Sequence, residues 1–157
     1  MNLHMLLEST LLIGAAFFCF KNKWGKLFSV MSLFVFFLVF TTQIFTKGLN
    51  IYFSYADVTE CILVTLLYIT LLYKFSREWN APWWQSHEIL LCIGLLMYFS
   101  CSVPYITMMY YLQEKNPALN HLLFDLISNV LACARYALVA IAFWMVRQNT
   151  LSKVSYE

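Results

Sequence analysis

Five long apolar runs, almost free of charge, confine this chain to folds that live in lipid. A helix rises about 1.5 Å per residue, so crossing about 30 Å of hydrocarbon takes roughly 20 apolar residues. Residues 3–20, 27–45, 51–73, 89–112 and 122–146 approach or exceed that length. Barrel strands alternate in polarity over about ten residues, and these runs are longer and more continuous. Without water to satisfy the backbone, helices are the remaining spanning element. The expected fold is an all-α, polytopic transmembrane helix bundle of about five spans, one domain over residues 1–157.

Composition agrees with that reading. Of 157 residues, 62% are hydrophobic and 11% charged, and mean hydropathy is +0.70. A soluble domain carries about a quarter charged residues, and one this small leaves much of its surface exposed. A net charge of +2, with no basic patch interleaved with aromatics, excludes nucleic acid as the expected partner. The partner indicated directly is the lipid bilayer.

Charge distribution predicts orientation. With the amino terminus outside, the inner loops and tail hold Lys21, Lys23, Lys26, Lys74, Arg77, Arg147 and Lys153, and the outer segments hold only Lys47 and Lys115. That asymmetry places the carboxyl terminus in the cytoplasm. The first run has no positive charge before it and three lysines after it, so it reads as an uncleaved span rather than a signal peptide. The loop with Trp79, Pro82, Trp83 and Trp84 reads as an interfacial segment, and Asn116-Pro117 as a helix stop and restart. Tyr52, Tyr55, Tyr105, Tyr110 and Tyr111 form an expected outer aromatic belt.

Ionisable groups inside spans are the expected seat of function, since each costs on the order of 2.5–3.5 kcal/mol at mid-membrane. Glu8, Asp57, Glu60 and Arg135 qualify, with Asp125 nearer a helix end. Asp57 and Glu60 are three residues apart and share a face with Ser54, Cys61 and Thr65. Two carboxylates so close resist both being ionised, which suits a proton or cation site; the plain alternative is an interfacial Asp57 and a Glu60 paired with a basic group. At about 100° per residue, His121, Asp125, Ser128, Ala132 and Arg135 fall in one sector expected to face the bundle. Arg135 must find Glu60, Glu8, a backbone carbonyl or water, and an Arg135–Glu60 pair is the preferred expectation. In the fourth span, Ser100 and Ser102 precede Pro104, which predicts a kink and a freed carbonyl.

Nothing in the chain specifies a reaction. Cys19, Cys61, Cys92, Cys101 and Cys133 lie in apolar runs without C-x-x-C spacing, as small apolar residues do, so no metal or other cofactor is expected. His87-Glu88 is the nearest approach to a catalytic pair and reads instead as a helix-start pair. The chain is therefore expected not to be an enzyme.

The run Pro82-Trp83-Trp84, then Ile93-Gly94-Leu95-Leu96-Met97-Tyr98-Phe99-Ser100, then Pro104, resembles an uncharacterised family of multi-spanning membrane proteins of Bacteroidetes. The resemblance covers roughly residues 50–147. Members of that family usually have about seven spans, which implies a shortened relative or a natural start further upstream. Some members resemble the membrane input portions of sensor kinases, which implies a sensory or partner-binding role, with a separate kinase, another membrane protein or a second copy as partner. The alternative reading is a small proton- or ion-coupled carrier or transport subunit lined by Asp57, Glu60 and Arg135.

Overall fold

The computed structural model describes residues 2–48, 54–78 and 86–154, and within these every regular element is helical. The elements are α1 (Asn2–Cys19), α2 (Lys23–Lys47), α3 (Ser54–Glu78), α4 (His87–Lys115), α5 (Pro117–Asp125), a π-helical turn (Leu126–Leu131) and α6 (Ala132–Val154). Four stretches are long and apolar enough to cross a membrane: Lys23–Thr46, Tyr55–Glu78, His87–Met109 and Pro117–Val146. The apolar part of α1, Leu3–Cys19, is shorter.

Capping chemistry sets several helix ends that hydropathy places elsewhere. The second helix starts before its apolar run, at Lys23, because the Asn22 side chain accepts from the Gly25 N–H at 3.1 Å. It ends where Gly48 takes φ +71 and returns its N–H to the Ile44 carbonyl at 3.0 Å. Asn116 alone separates α4 from α5: its N–H closes α4 on Leu112 O, and its side chain accepts from Leu119 N, with Pro117 opening α5. The stop and restart expected at Asn116-Pro117 thus takes a single residue. The interfacial segment around Trp79 and Pro82–Trp84 lies outside the described residues.

Helices α3 and α4 form the centre of the bundle, with α1 and α2 on one flank and α5, the π turn and α6 on the other. The main core joins Ile13, Ala16 and Phe20 of α1 to Val64, Leu67 and Leu71 of α3 and Cys92, Leu95 and Phe99 of α4. A smaller one joins Met5, Phe36, Phe40 and Ala56. Two polar contacts fix the flank: Tyr68 donates to the Leu12 carbonyl at 3.1 Å, and Gln43 accepts from Ala56 N at 3.3 Å. Outward surfaces are apolar, as with Trp24, Met31, Phe34 and Leu38 of α2 and Ile141, Phe143 and Trp144 of α6. Hydroxyls on the helices return to carbonyls of the preceding turn, as Ser9 to Met5, Thr41 to Phe37 and Thr59 to Tyr55 do. That is how a hydroxyl is satisfied where no water is at hand.

Lys21, Lys23, Lys26, Lys74 and Arg77 gather at one end. Lys74 reaches across to donate to the Cys19 carbonyl at 2.9 Å, and Lys26 sits 5.4 Å above the Phe17 ring. Lys21, Lys23 and Arg77 share this basic end, because α1 finishes, α2 starts and α3 finishes there.

Only two of the five cysteines behave as buried small residues. Cys61 and Cys92 are buried, whereas Cys19, Cys101 and Cys133 face outward. Helix α4 runs without interruption through Pro104. The hydroxyls of Ser100 and Ser102 bond Leu96 O and Tyr98 O, each one turn back, and so do not take up the Ser100 carbonyl that Pro104 leaves free.

Candidate functional site

The intramembrane charges converge about midway along the bundle. Glu8 lies about 17 Å from the basic end of α1, and Tyr98 a similar distance from the start of α4. Between them Arg135 projects inward from α6, its side chain only 6% exposed. Its Nη1 donates to Glu8 Oε1 at 2.7 Å, and its Nη2 donates to the Tyr136 hydroxyl at 2.8 Å. The guanidinium also lies over aromatic faces, 4.1 Å from the Tyr98 centroid and 4.6 Å from that of Tyr136. A planar cation that stacks and forks in this way uses properties that lysine lacks.

Close helix approach positions it. A Cβ built on Gly94 of α4 would stand 3.1 Å from Leu138 Cβ and 3.5 Å from the Arg135 carbonyl. Glycine at this position lets α6 sit near enough for Arg135 to cross to α1.

The expected Arg135–Glu60 pair is corrected to Arg135–Glu8. Glu8 and Ser9 are successive on α1 and so point about 100° apart. The fully buried Ser9 turns toward α3, where it lies beside Glu60, and Glu8 turns toward α6. Glu60 is 2% exposed, and its Oε1 has no hydrogen-bond partner. Asp57, one turn away, faces the Cys61 thiol at 3.9 Å. Among the described residues the ion pairs fall on Glu8 and Glu88, and none on Asp57 or Glu60.

These groups line a partly open cavity of about 400 Å³. Glu8, Asp57, Glu60 and Arg135 supply its charge, Ser102 a hydroxyl, and Tyr98, Phe99, Tyr105 and Phe124 its aromatic walls. Tyr105, one of the tyrosines expected in the outer belt, thus lines the cavity. Although three carboxylates reach this space, among the described residues no three of His, Cys, Asp and Glu come close enough together to hold a metal ion.

Asp125 does not join the site. It and His121 are exposed, while Ala132 and Arg135 line the cavity. The single sector expected from residue 121 to residue 135 presumes an unbroken α-helix, but Leu126–Leu131 is π-helical. A π turn takes up an extra residue, which shifts the phase by roughly 100° and turns Asp125 off the face that Arg135 occupies. His87 and Glu88 lie far from this cluster, at the start of α4, where Ser86 caps Ile89 and donates to Glu88. Ser102, expected beside the Pro104 kink, joins the site; Tyr98 and Tyr136 complete it without having been expected there, and a tyrosine adjacent to the intramembrane arginine was the one sequence signal for them.

Fold and site together define a class: an all-helical bundle of membrane-spanning character, built around an acidic cavity closed on one side by an ion pair. No protein-family model, curated protein or solved structure matches the chain.

Proposed function

We propose that this chain is a small, non-enzymatic subunit of the bacterial inner membrane that senses a ligand and passes the signal to a partner. In this reading α1 completes five spans, with the amino terminus outside and the carboxyl terminus in the cytoplasm. Positive charge at the α1–α2 and α3–α4 ends supports that orientation. The observation that carries the functional reading is Glu60: a fully enclosed carboxylate, with one oxygen unpartnered, facing a cavity large enough for a small molecule. The adjoining Glu8–Arg135 pair is an element that a ligand can shift between closed and open arrangements. Output in this reading runs through helix contacts with a separate kinase, another membrane protein or a second copy. A mild-detergent pull-down of the tagged protein from native membranes, with mass measurement, tests this. A stoichiometric partner or discrete oligomer that weakens in Arg135→Ala and Glu60→Ala is expected. Normal assembly of both variants would overturn the reading.

One observation favours a second reading. Asp57 and Glu60 lie one turn apart on the cavity wall, as the carboxylates of a proton- or ion-coupled carrier do. That reading requires pH- or ion-driven flux in proteoliposomes, and flat traces would exclude it.

A further inference from the structure

A second cavity, of about 320 Å³, lies on the other side of the Glu8–Arg135 pair. Its apolar walls are Leu7, Leu11 and Leu12 of α1, Leu95 of α4 and Val139 of α6. It shares His4, Glu8, Arg135 and Tyr136 with the acidic cavity, so the ion pair and its neighbours form the partition between the two. Helix α1 packs on α2 and α3 and α6 packs on α4, which leaves this groove as a cleft between α1 and α6. Leu7 and Leu11 are 56% and 71% exposed, so the cleft opens sideways to whatever surrounds the bundle, which in a membrane is lipid.

The two spaces are ordered along the bundle axis. Leu12 and Val139 lie one helical turn, about 6 Å, from Glu8 and Arg135 toward the basic end. Asp57, Ser102, Tyr105, Phe124 and Ile127 lie on the opposite side of the pair. A polar chamber thus stands nearer one membrane face, and an apolar groove runs from it toward the middle of the bilayer. A single-chain amphiphile in a leaflet has the same arrangement, with its head toward the interface and its tail inward.

Charge decides the sign of the head. Glu8 and Arg135 compensate one another, whereas Asp57 and the enclosed Glu60 form no ion pair among the described residues, so a cationic head would supply the counter-charge that an ionised carboxylate needs in this enclosed space. The chamber therefore takes a cation, and its aromatic walls favour one with a diffuse charge. The carboxylates do not converge on a metal-sized point, which favours an organic ion. A phospholipid head would bring a phosphate beside three carboxyl groups, with the Arg135 guanidinium already engaged by Glu8.

Resting on the proposed function of the cavity as a binding site, we infer that its ligand is a free amphiphilic ammonium ion. It enters from the lipid between α1 and α6, with its head against Glu60 and Asp57 and its tail in the groove.

The test is equilibrium dialysis of radiolabelled dodecyltrimethylammonium against the full chain in phosphatidylcholine nanodiscs, with empty nanodiscs setting the partition background. Saturable binding at one site per chain is expected, at least tenfold weaker in Glu60→Gln and not competed by dodecyl maltoside. Val139→Trp fills the groove while leaving both carboxylates in place, and an equal loss is expected there even if Glu60→Gln fails to fold. Uptake no greater than that of empty nanodiscs, or unchanged affinity in the folded variants, overturns the inference. Abolished binding in phosphatidylethanolamine nanodiscs would make a lipid headgroup the occupant, and would also overturn it. Absence of ammonium binding in a chain that still captures its partner refutes the ligand class and leaves the subunit reading standing.

Discussion

Replacing Glu8 with leucine leaves Arg135 enclosed without its counter-ion. Removing one partner of a buried ion pair costs about 3–5 kcal/mol, because the other charge stays desolvated. The environment here moderates that figure. The Glu8 side chain is 23% exposed, and Arg135 retains the Tyr136 hydroxyl and the Tyr98 face. A loss of about 2–3 kcal/mol is therefore expected for Glu8→Leu, below the fully buried range. Arg135→Met should cost less, roughly 1–2 kcal/mol, because Glu8 keeps His4 at 3.5 Å and some exposure, and the membrane is relieved of an arginine. The double variant Glu8→Leu/Arg135→Met removes both charges and should lie within about 1 kcal/mol of the wild type, since a buried pair replaced by apolar groups is often neutral. The cycle is measured by unfolding in mixed micelles with increasing denaturing detergent, followed by circular dichroism. The expected coupling between the sites is about 2 kcal/mol or more. Strict additivity of the two single costs would refute the claim that these side chains depend on one another.

Other outcomes follow from single contacts. Gly94→Ala gains helix propensity but brings its new Cβ to 3.1 Å from the Leu138 Cβ, a backbone-anchored atom that must shift, so a net loss of about 1 kcal/mol is expected in the same unfolding assay. A gain in stability would mean that α4 and α6 are not closely apposed. Asn22→Ala should lose about 1 kcal/mol by uncapping α2, while Asn22→Asp, which can still accept from Gly25, should lose little. In mild detergent, N-ethylmaleimide should modify Cys19, which faces outward at the basic end, faster than the buried Cys61 and Cys92 and the mid-span Cys101 and Cys133, as read by intact-protein mass. Rapid addition of five adducts to the folded protein would contradict the packing around α3 and α4.

How much of this was legible in the sequence depends on how local the determining physics is. Apolar runs set by bilayer thickness located α1, α2, α3, α4 and α6, whose observed ranges hold the centres of the five runs, but not the division of the last run into α5, a π turn and α6. Their ends depended on cap geometry: Asn22 and Gly48 override hydropathy at the two ends of α2. The ionisable residues were identifiable one by one, because a charge in an apolar run is conspicuous. Their partnership was not, since choosing Glu8 over Glu60 requires the rotation of α1 about its own axis. Asp125 was misplaced for a different reason. Six residues of π-helix between Asp125 and Ala132 break the 3.6-residue period that put it on the same face as Arg135. The contribution of Gly94 is likewise a matter of tertiary contact, visible only once α6 lies against it.

Everything proposed for the site requires α1 and α6 to meet across the Glu8–Arg135 pair within a membrane-embedded bundle. That claim is tested most directly by cross-linking in native membranes, with the native cysteines replaced and new ones placed as Leu11→Cys and Val139→Cys. Leu12→Cys/Tyr68→Cys serves as a control, because those residues already touch between α1 and α3. A short bifunctional maleimide should link the 11/139 pair within one chain as readily as the control, and adding Glu8→Leu should sharply reduce only the 11/139 product. Efficient linkage of the control with none at 11/139 would contradict the account, because α6 would then stand away from α1 and Arg135 could not reach Glu8.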